Sequence, residues 1–258
     1  MIHADIIEDG ILLITMDRPL ANAIDQAMSD GLDAAFNRFE DDDALLVCII
    51  TGGGDRFFSA GWDLQEVASG RGDDSRFGRG GAMGLTERWS LVKPVISAVN
   101  GTAIGAGFEL ALASDLVVAA AGARFMLPEV QNGLVAEGGG VIRAARRLPP
   151  MLAMELLLTG RPAVAAELQH YGFINRVVPG DEVMAAALDL ARQIRAAAPT
   201  AVAATKEIVD RTGQLSVREA YEAMRGGALA AYERARASPN RLEGLRAIVE
   251  KRPPRWMP

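Results

Sequence analysis

The chain is 258 residues long, half of them hydrophobic and 23% charged. That is enough apolar material for a sizeable core, and it excludes a disordered protein. One cysteine, Cys48, excludes a disulfide scaffold, and with only His3 and His170 beside it a His/Cys metal centre is not expected. Lys and Arg number 27 against 33 Asp and Glu, a net charge of −6. A surface of that sign repels a phosphate backbone, so nucleic acid is not an expected partner.

In chain order, Ala4–Ile7 and Ile11–Met16 are β-prone runs joined by Glu8-Asp9-Gly10, the pattern of a hairpin. Asp25 is a candidate N-cap for a helix reaching about Phe39, with Met28, Leu32, Ala35, Phe36 and Phe39 on one face. Leu45–Thr51 is continuously apolar and fits a buried strand in which Cys48 simply packs. Gly70–Gly84 is rich in Gly, Arg and Asp and reads as a mobile loop. A helix over about Leu85–Leu91, a buried strand over Pro94–Val99, and a small-residue run Gly101–Gly107 opening the apolar helix Phe108–Ala113 are predicted next. Strands follow at Asp115–Ala120 and Arg124–Met126. From Gly138 the pattern is mostly helical, with one strand at Ile174–Val178 and three last helices at Thr200–Gly213, Val217–Ala235 and Arg241–Glu250. A loose strand-strand-helix rhythm through the first part gives an expected α/β core over 1–198 and a helical arm over 199–258. No uninterrupted apolar stretch reaches about 18 residues, and neither a basic leader nor a C-terminal address is seen. The expectation is a cytoplasmic protein with no membrane partner.

Few residues offer chemistry. The glycines at 101, 105 and 107 do not fit a dinucleotide or phosphate-loop fingerprint. They allow either a ligand oxygen or a neighbouring strand to approach the backbone at a helix start. Glu109 lies in the apolar stretch Phe108–Ala113, where it is exposed on a narrow stripe, paired with an arginine, or catalytic. Glu129, in Leu127-Pro128-Glu129-Val130, reads by default as a loop glutamate. Glu137 precedes Gly138-Gly139-Gly140 at a helix start, where the helix dipole alone explains an acid. His170, beside Tyr171-Gly172, fits a helix C-terminus better than a base, and no Ser/His/Asp order is present.

Together the segments Phe58–Leu64, Lys93–Gly101, Gly105–Asp115, Leu127–Glu129 and Leu158–Arg161 resemble the crotonase superfamily, the enoyl-CoA hydratases and isomerases, in order and interval. The resemblance runs from about residue 4 to the end. It implies a spiral of strand-strand-helix turns with a C-terminal helical arm for assembly into trimers or hexamers. It also implies a coenzyme A thioester as substrate with no separate cofactor and no metal. Glu109 and Glu129, 20 residues apart as in the family's hydratases, fill both acid/base positions. The resemblance gives Glu109 the attacking water and Glu129 the proton for Cα. Two neighbouring carboxylates do not readily ionise together, which suits such a pair.

The resemblance further implies an oxyanion hole from the backbone N–H groups of Trp62 and Ala106, beside Gly61 and Gly105. A substrate and CoA groove would be lined by Ala21, Ala23, Ala60, Gly61, Asp63, Leu64, Gly105 and Pro128. Asp63 fits an N-cap for Leu64–Val67 equally well. Leu20 stands where relatives carry a lysine for the CoA phosphate, leaving that contact open, with Lys251 and Arg252 of a neighbouring subunit as candidates. Glu137 stands where dienoyl-CoA isomerases of the family carry a second acid, so an enoyl- or dienoyl-CoA isomerase is the alternative activity. An RNA-binding relative is the non-enzymatic one. Within the superfamily Ala21–Asp25, Phe57–Leu64 and Gly84–Glu87 are most similar to the branch that hydrates crotonobetainyl-CoA to carnitinyl-CoA. Trp62, Phe77 and Trp89 would there face a trimethylammonium group, or else pack around an ordinary acyl chain.

Overall fold

The structure, a computed structural model, describes residues 1–69 and 77–257. Ten strands run β1 (Ile2–Glu8), β2 (Ile11–Met16), β3 (Val47–Gly52), β4 (Phe57–Ser59), β5 (Val95–Val99), β6 (Thr102–Ile104), β7 (Leu116–Ala120), β8 (Arg124–Met126), β9 (Ala163–Val164) and β10 (Arg176–Val178). The helices are α1 (Gln26–Asp41), α2 (Leu64–Ala68), α3 (Ala106–Ala113), α4 (Gly140–Arg147), α5 (Pro150–Thr159), α6 (Ala165–His170), α7 (Val183–Arg195), α8 (Pro199–Thr212), α9 (Val217–Arg225), α10 (Ala230–Ala237) and α11 (Asn240–Val249).

The strands form two sheets, ordered β1-β2-β3-β5-β7-β10 and β4-β6-β8-β9. Each turn of the chain gives one strand to each sheet: β3 then β4, β5 then β6, β7 then β8. Neighbours along the spiral are parallel, and only β1 and β9 run antiparallel. Every residue of β3 and of β5 is buried, as expected for parallel strands covered on both faces. Helix α7 covers β3, β5 and β7 through Val183, Ala187 and Ala191. Cys48 lies in this core, where burial pushes its thiol pKa up, so it is an inert packing residue.

Helix α1 begins where its cap predicts: the Asp25 carboxylate accepts from the Met28 N–H at 2.8 Å. The predicted face of Met28, Leu32, Ala35, Phe36 and Phe39 is buried. Other expectations are corrected. Val217–Ala235 is two helices, because the chain turns at Gly226-Gly227, with Gly227 at φ 76°. Leu85–Leu91 is a set of turns following a short 3-10 turn at Ala82–Gly84.

Part of the predicted loop, residues 70–76, lies outside the described residues. In its described remainder residues 77–79 are exposed, whereas residues 80–84 are buried against α1, as a mobile loop would not be. Arg88 holds them there, with a side chain wholly inaccessible to solvent. It pairs with Asp33 and with Glu40, each at 2.7 Å, and donates to the Gly84 carbonyl at 2.7 Å. Asp33 also accepts from the Gly80 N–H at 2.8 Å. A buried guanidinium needs this many partners to offset its desolvation.

Helices α8–α11 follow the core, α8 packing on α10. Lys206 of α8 reaches back to Asp115 at 2.6 Å and to the Lys93 carbonyl at 3.0 Å. Among the described residues, no helix is long and apolar enough to cross a membrane.

Candidate active site

The site forms where three turns of the spiral meet: the start of α3, the segment after β4, and the chain after β8. Gly105 precedes α3 with φ 51°, a conformation that favours glycine, and its N–H donates to the Met126 carbonyl at 2.9 Å. A Cβ on Gly105 would come within 2.7 Å of Glu129 Oε1, so this glycine keeps Glu129 against the head of α3. Gly61, at φ 88°, is just as constrained: a Cβ there would lie 2.6 Å from the Ile104 carbonyl and 3.2 Å from the Ala106 nitrogen.

That contact sets the chain carrying Trp62 beside the first turn of α3. No protein acceptor among the described residues takes the N–H of Trp62 or of Ala106. Their neighbours' N–H groups are used: Asp63 donates to the Ile24 carbonyl at 2.7 Å and Gly61 to Ser59 Oγ at 3.1 Å. Two unpaired backbone donors on adjacent segments are the kind of group an oxyanion hole requires.

Glu109 lies in the first turn of α3 and is 4% exposed. Its Oε1 accepts from the N–H of Gly140, the first residue of α4, at 2.8 Å. Side chains at 138 and 140 would collide with it, since a Cβ on Gly138 would lie 2.5 Å from Oε2 and one on Gly140 2.9 Å from Oε1. The glycine run thus makes room for Glu109 to accept from the first N–H of α4, the helix whose dipole sequence alone set beside the neighbouring Glu137. Glu137 is instead exposed, and no ion pair or hydrogen bond engages its carboxylate among the described residues.

Burial pushes the Glu109 pKa up to about 7. The Gly140 N–H opposes that rise, the Glu129 charge adds to it, and the Arg143 guanidinium opposes it more weakly. Burial also raises the pKa of Glu129, whose Oε2 is enclosed and has no hydrogen-bond partner among the described residues. Two carboxylates that resist ionisation, close enough to feel each other's charge, can hold one proton between them near neutral pH.

Arg143 was not singled out from sequence. It carries no carboxylate partner within ion-pair distance among the described residues, and it donates to the Thr86 carbonyl at 2.6 Å. Its guanidinium lies 5.9 Å from the centre of the Trp89 ring. One face of Trp89 is therefore taken by a cation, and the indole is 69% exposed. The expected aromatic trio is not assembled: Trp62 and Phe77 meet edge to face at 5.9 Å, and Trp89 stands apart with Arg143.

Several of the remaining candidates are tied together by hydrogen bonds and by Arg18. The Ala60 N–H donates to the Ala21 carbonyl at 2.9 Å, and Arg18 donates to the Ala23 carbonyl at 2.8 Å. Asp63 takes the capping role, accepting from the Gln65 N–H at 3.0 Å, and pairs with Arg18 at 2.8 Å. Arg18 holds its carboxyl below the usual carboxylate range. Leu64 is exposed, and Leu20, at φ 79°, is almost fully so. Pro128 is half-buried and opens the short 3-10 turn Glu129–Asn132 that carries Glu129. Arg252 is bound to Glu243 of its own chain at 2.6 and 3.0 Å. Among the described residues, no three His, Cys, Asp or Glu side chains gather as a metal site would require.

The family model for enoyl-CoA hydratase/isomerase matches residues 6–258. A carnitinyl-CoA dehydratase of Proteus mirabilis is 51% identical over 247 residues, covering 96% of this chain and 95% of that protein. One of Salmonella typhi is 50% identical over 246 residues, covering 95% and 94%. Among solved structures, an enoyl-CoA hydratase from Mycobacterium tuberculosis superposes with a TM-score of 0.90 at 39% identity, covering 99% of this chain and 98% of that one. A carnitinyl-CoA hydratase from Mycobacterium avium gives 0.76 at 37% identity, covering 99% and 97%. On a match that spans nearly its whole length, the chain belongs to the enoyl-CoA hydratase/isomerase family.

Proposed function

We propose that the chain is a hydro-lyase that adds water reversibly across the double bond of an α,β-unsaturated acyl-CoA, with Glu109 and Glu129 as its acid/base pair. The observation that carries the reading is the pairing of two hard-to-ionise glutamates, Glu109 buried and Glu129 half-buried, with two unpaired backbone N–H groups. The N–H groups of Trp62 and Ala106 grip the thioester oxygen, and a preorganised donor of this kind is worth about 3–4 kcal/mol as the enolate forms. Glu109, ionised, takes a proton from a water held between the carboxylates as the water oxygen bonds to Cβ. The π electrons move to Cα and the thioester oxygen, and Glu129, protonated, delivers its proton to Cα. General acid–base catalysis of this sort contributes on the order of 10²–10⁴ in rate.

An isomerase using Glu129 with Glu137 is disfavoured by the exposure of Glu137. Ala21, Ala23, Ala60, Gly61 and Leu64 line the CoA groove in this reading, with Asp63 shaping it through Arg18 and the cap of α2. The core over 1–198 holds the site, in the cytoplasm. The arm over 199–258 joins subunits into trimers or hexamers, and its solvent-facing Leu242, Leu245, Ile248 and Val249 support this.

The identity to carnitinyl-CoA dehydratases supports crotonobetainyl-CoA as the acyl substrate. Turnover of crotonobetainyl-CoA and crotonyl-CoA, followed as loss of enoyl absorbance, tests this. A higher kcat/KM for crotonobetainyl-CoA is expected. Preference for the neutral thioester would remove the carnitine assignment and leave the hydratase.

A further inference from the structure

The free N–H of Trp62 has a local cause. Ile24 and Trp62 form an isolated parallel bridge. The Ile24 N–H donates to the Gly61 carbonyl at 2.8 Å, and the Asp63 N–H donates to the Ile24 carbonyl at 2.7 Å. In such a pairing the neighbours of Trp62 carry both bonds, and its own N–H turns to the edge away from residues 23–25. No acceptor among the described residues takes it there. A bridge of two hydrogen bonds, outside both sheets, is by itself a weak constraint on that direction.

Arg18 fastens the bridge from both sides. Its Nη1 donates to the Ala23 carbonyl at 2.8 Å, next to Ile24, and its Nη2 donates to Asp63 Oδ2 at 2.8 Å, next to Trp62. Nη2 also lies 3.3 Å from Asp25 Oδ2. One guanidinium thereby holds Ala23 and Asp25 on one segment and Asp63 on the other. It also neutralises two carboxylates that would otherwise repel each other across the bridge. Both carboxylates are fixed by a second duty, since Asp25 accepts from the Met28 N–H at the start of α1 and Asp63 from the Gln65 N–H at the start of α2. The root of the arginine is fixed as well. The Asn22 N–H donates to the Arg18 carbonyl at 3.0 Å, and the Arg18 N–H donates to Asn22 Oδ1 at 3.1 Å. Buried Asn22 in turn donates to the Gly53 and Phe57 carbonyls, each at 2.9 Å.

We infer that Arg18 is a positioning residue of the oxyanion hole: its guanidinium clips residues 23–25 to Asp63 and so fixes the direction of the adjoining Trp62 N–H. The inference rests on the proposed hydratase reading, in which that N–H grips the thioester oxygen. The planar fork of arginine suits the task, because separate nitrogens reach the Ala23 carbonyl and the Asp63 carboxylate at once. An oxyanion donor acts more strongly on the forming enolate than on the ground-state carbonyl. A misdirected N–H therefore lowers kcat and kcat/KM together and leaves KM near its parental value.

Steady-state hydration of crotonyl-CoA is compared in the parent, Arg18→Met, Asp63→Asn and the double variant, with thermal unfolding to check the fold. Asn can keep the Gln65 cap while giving up the ionic partner, so Asp63→Asn tests the clip from its other end should Arg18→Met fail to fold. In Arg18→Met kcat should fall by about tenfold to a hundredfold, and in Asp63→Asn by less, with KM within about twofold of the parent. The double variant should lose no more than Arg18→Met alone, because both changes act on one clip. The absorbance of sorbyl-CoA, a conjugated dienoyl thioester, reads the hole on binding. Donors at the thioester oxygen draw electron density along the chain and move its band to longer wavelength, and Arg18→Met should reduce that shift. Parental kcat and an undiminished band shift in the folded single variants would overturn the role of Arg18. A raised KM at parental kcat would overturn it too, making Arg18 a contact for CoA. A parent inactive toward both crotonyl-CoA and crotonobetainyl-CoA would overturn the hydratase reading and this inference with it.

Discussion

Replacing Glu109 by Gln should stabilise the protein, and the gain should depend on pH. In the unfolded chain the Glu109 carboxyl titrates at its ordinary value of 4.5, and in the fold burial pushes it up to about 7. Below the lower value the group is neutral in both states and costs nothing. As pH rises through the folded value, the fold must carry a buried charge that the unfolded chain keeps in water. Stability associated with the neutral carboxyl is thus present at low pH and lost above pH 7. One pKa unit corresponds to about 1.4 kcal/mol, so the ionised carboxylate costs the fold about 3 kcal/mol at alkaline pH. Gln has the same shape and never ionises, and its carbonyl oxygen can keep the Gly140 N–H bond now made by Oε1. Urea unfolding of parent and variant at pH 5 and pH 9 measures the difference. The advantage of Glu109→Gln should grow by about 2–3 kcal/mol between the two pH values. A constant offset across that range would refute the claim that burial raises the pKa of this carboxyl.

Two further outcomes follow from the packing. Asp33→Ala leaves Arg88 inside the protein with Glu40 as its remaining carboxylate and frees the Gly80 N–H, so unfolding free energy should fall by about 3–5 kcal/mol. A loss below about 1 kcal/mol in urea titration would show that the network is not what holds residues 80–88. Light scattering should give a solution mass that is a multiple of three protomers, and a stable monomer at micromolar concentration would contradict the role given to the helical arm.

What the sequence made legible is what local chemistry decides. Helix α1 is announced by an Asp cap and a five-residue apolar face, and β3 and β5 by uninterrupted apolar runs. The strands β4, β6 and β9 have 3, 3 and 2 residues, too short for any period to register. Residues 80–88 were misread because their order comes from Asp33 and Glu40, which pair with Arg88 across separations of 55 and 48 positions. The split between α9 and α10 was visible in Gly226-Gly227, and the helical pattern on both sides concealed it. At the site, Glu109 and Glu129 were found through the motifs around them and not through their own surroundings. The Gly140 cap on Glu109 spans 31 positions, so the desolvation that sets its pKa could not be read along the chain. Arg143 escaped for the same reason. It stands in no distinctive pattern, and it matters only through what the fold brings against it.

In the proposed hydration step two carboxylates share one water and one proton. Steady-state kinetics of Glu109→Gln and of Glu129→Gln with crotonyl-CoA tests it most directly, with circular dichroism to verify folding. Each variant should lose at least about 10² in kcat while keeping the native spectrum. Near-parental turnover in either one would contradict the account.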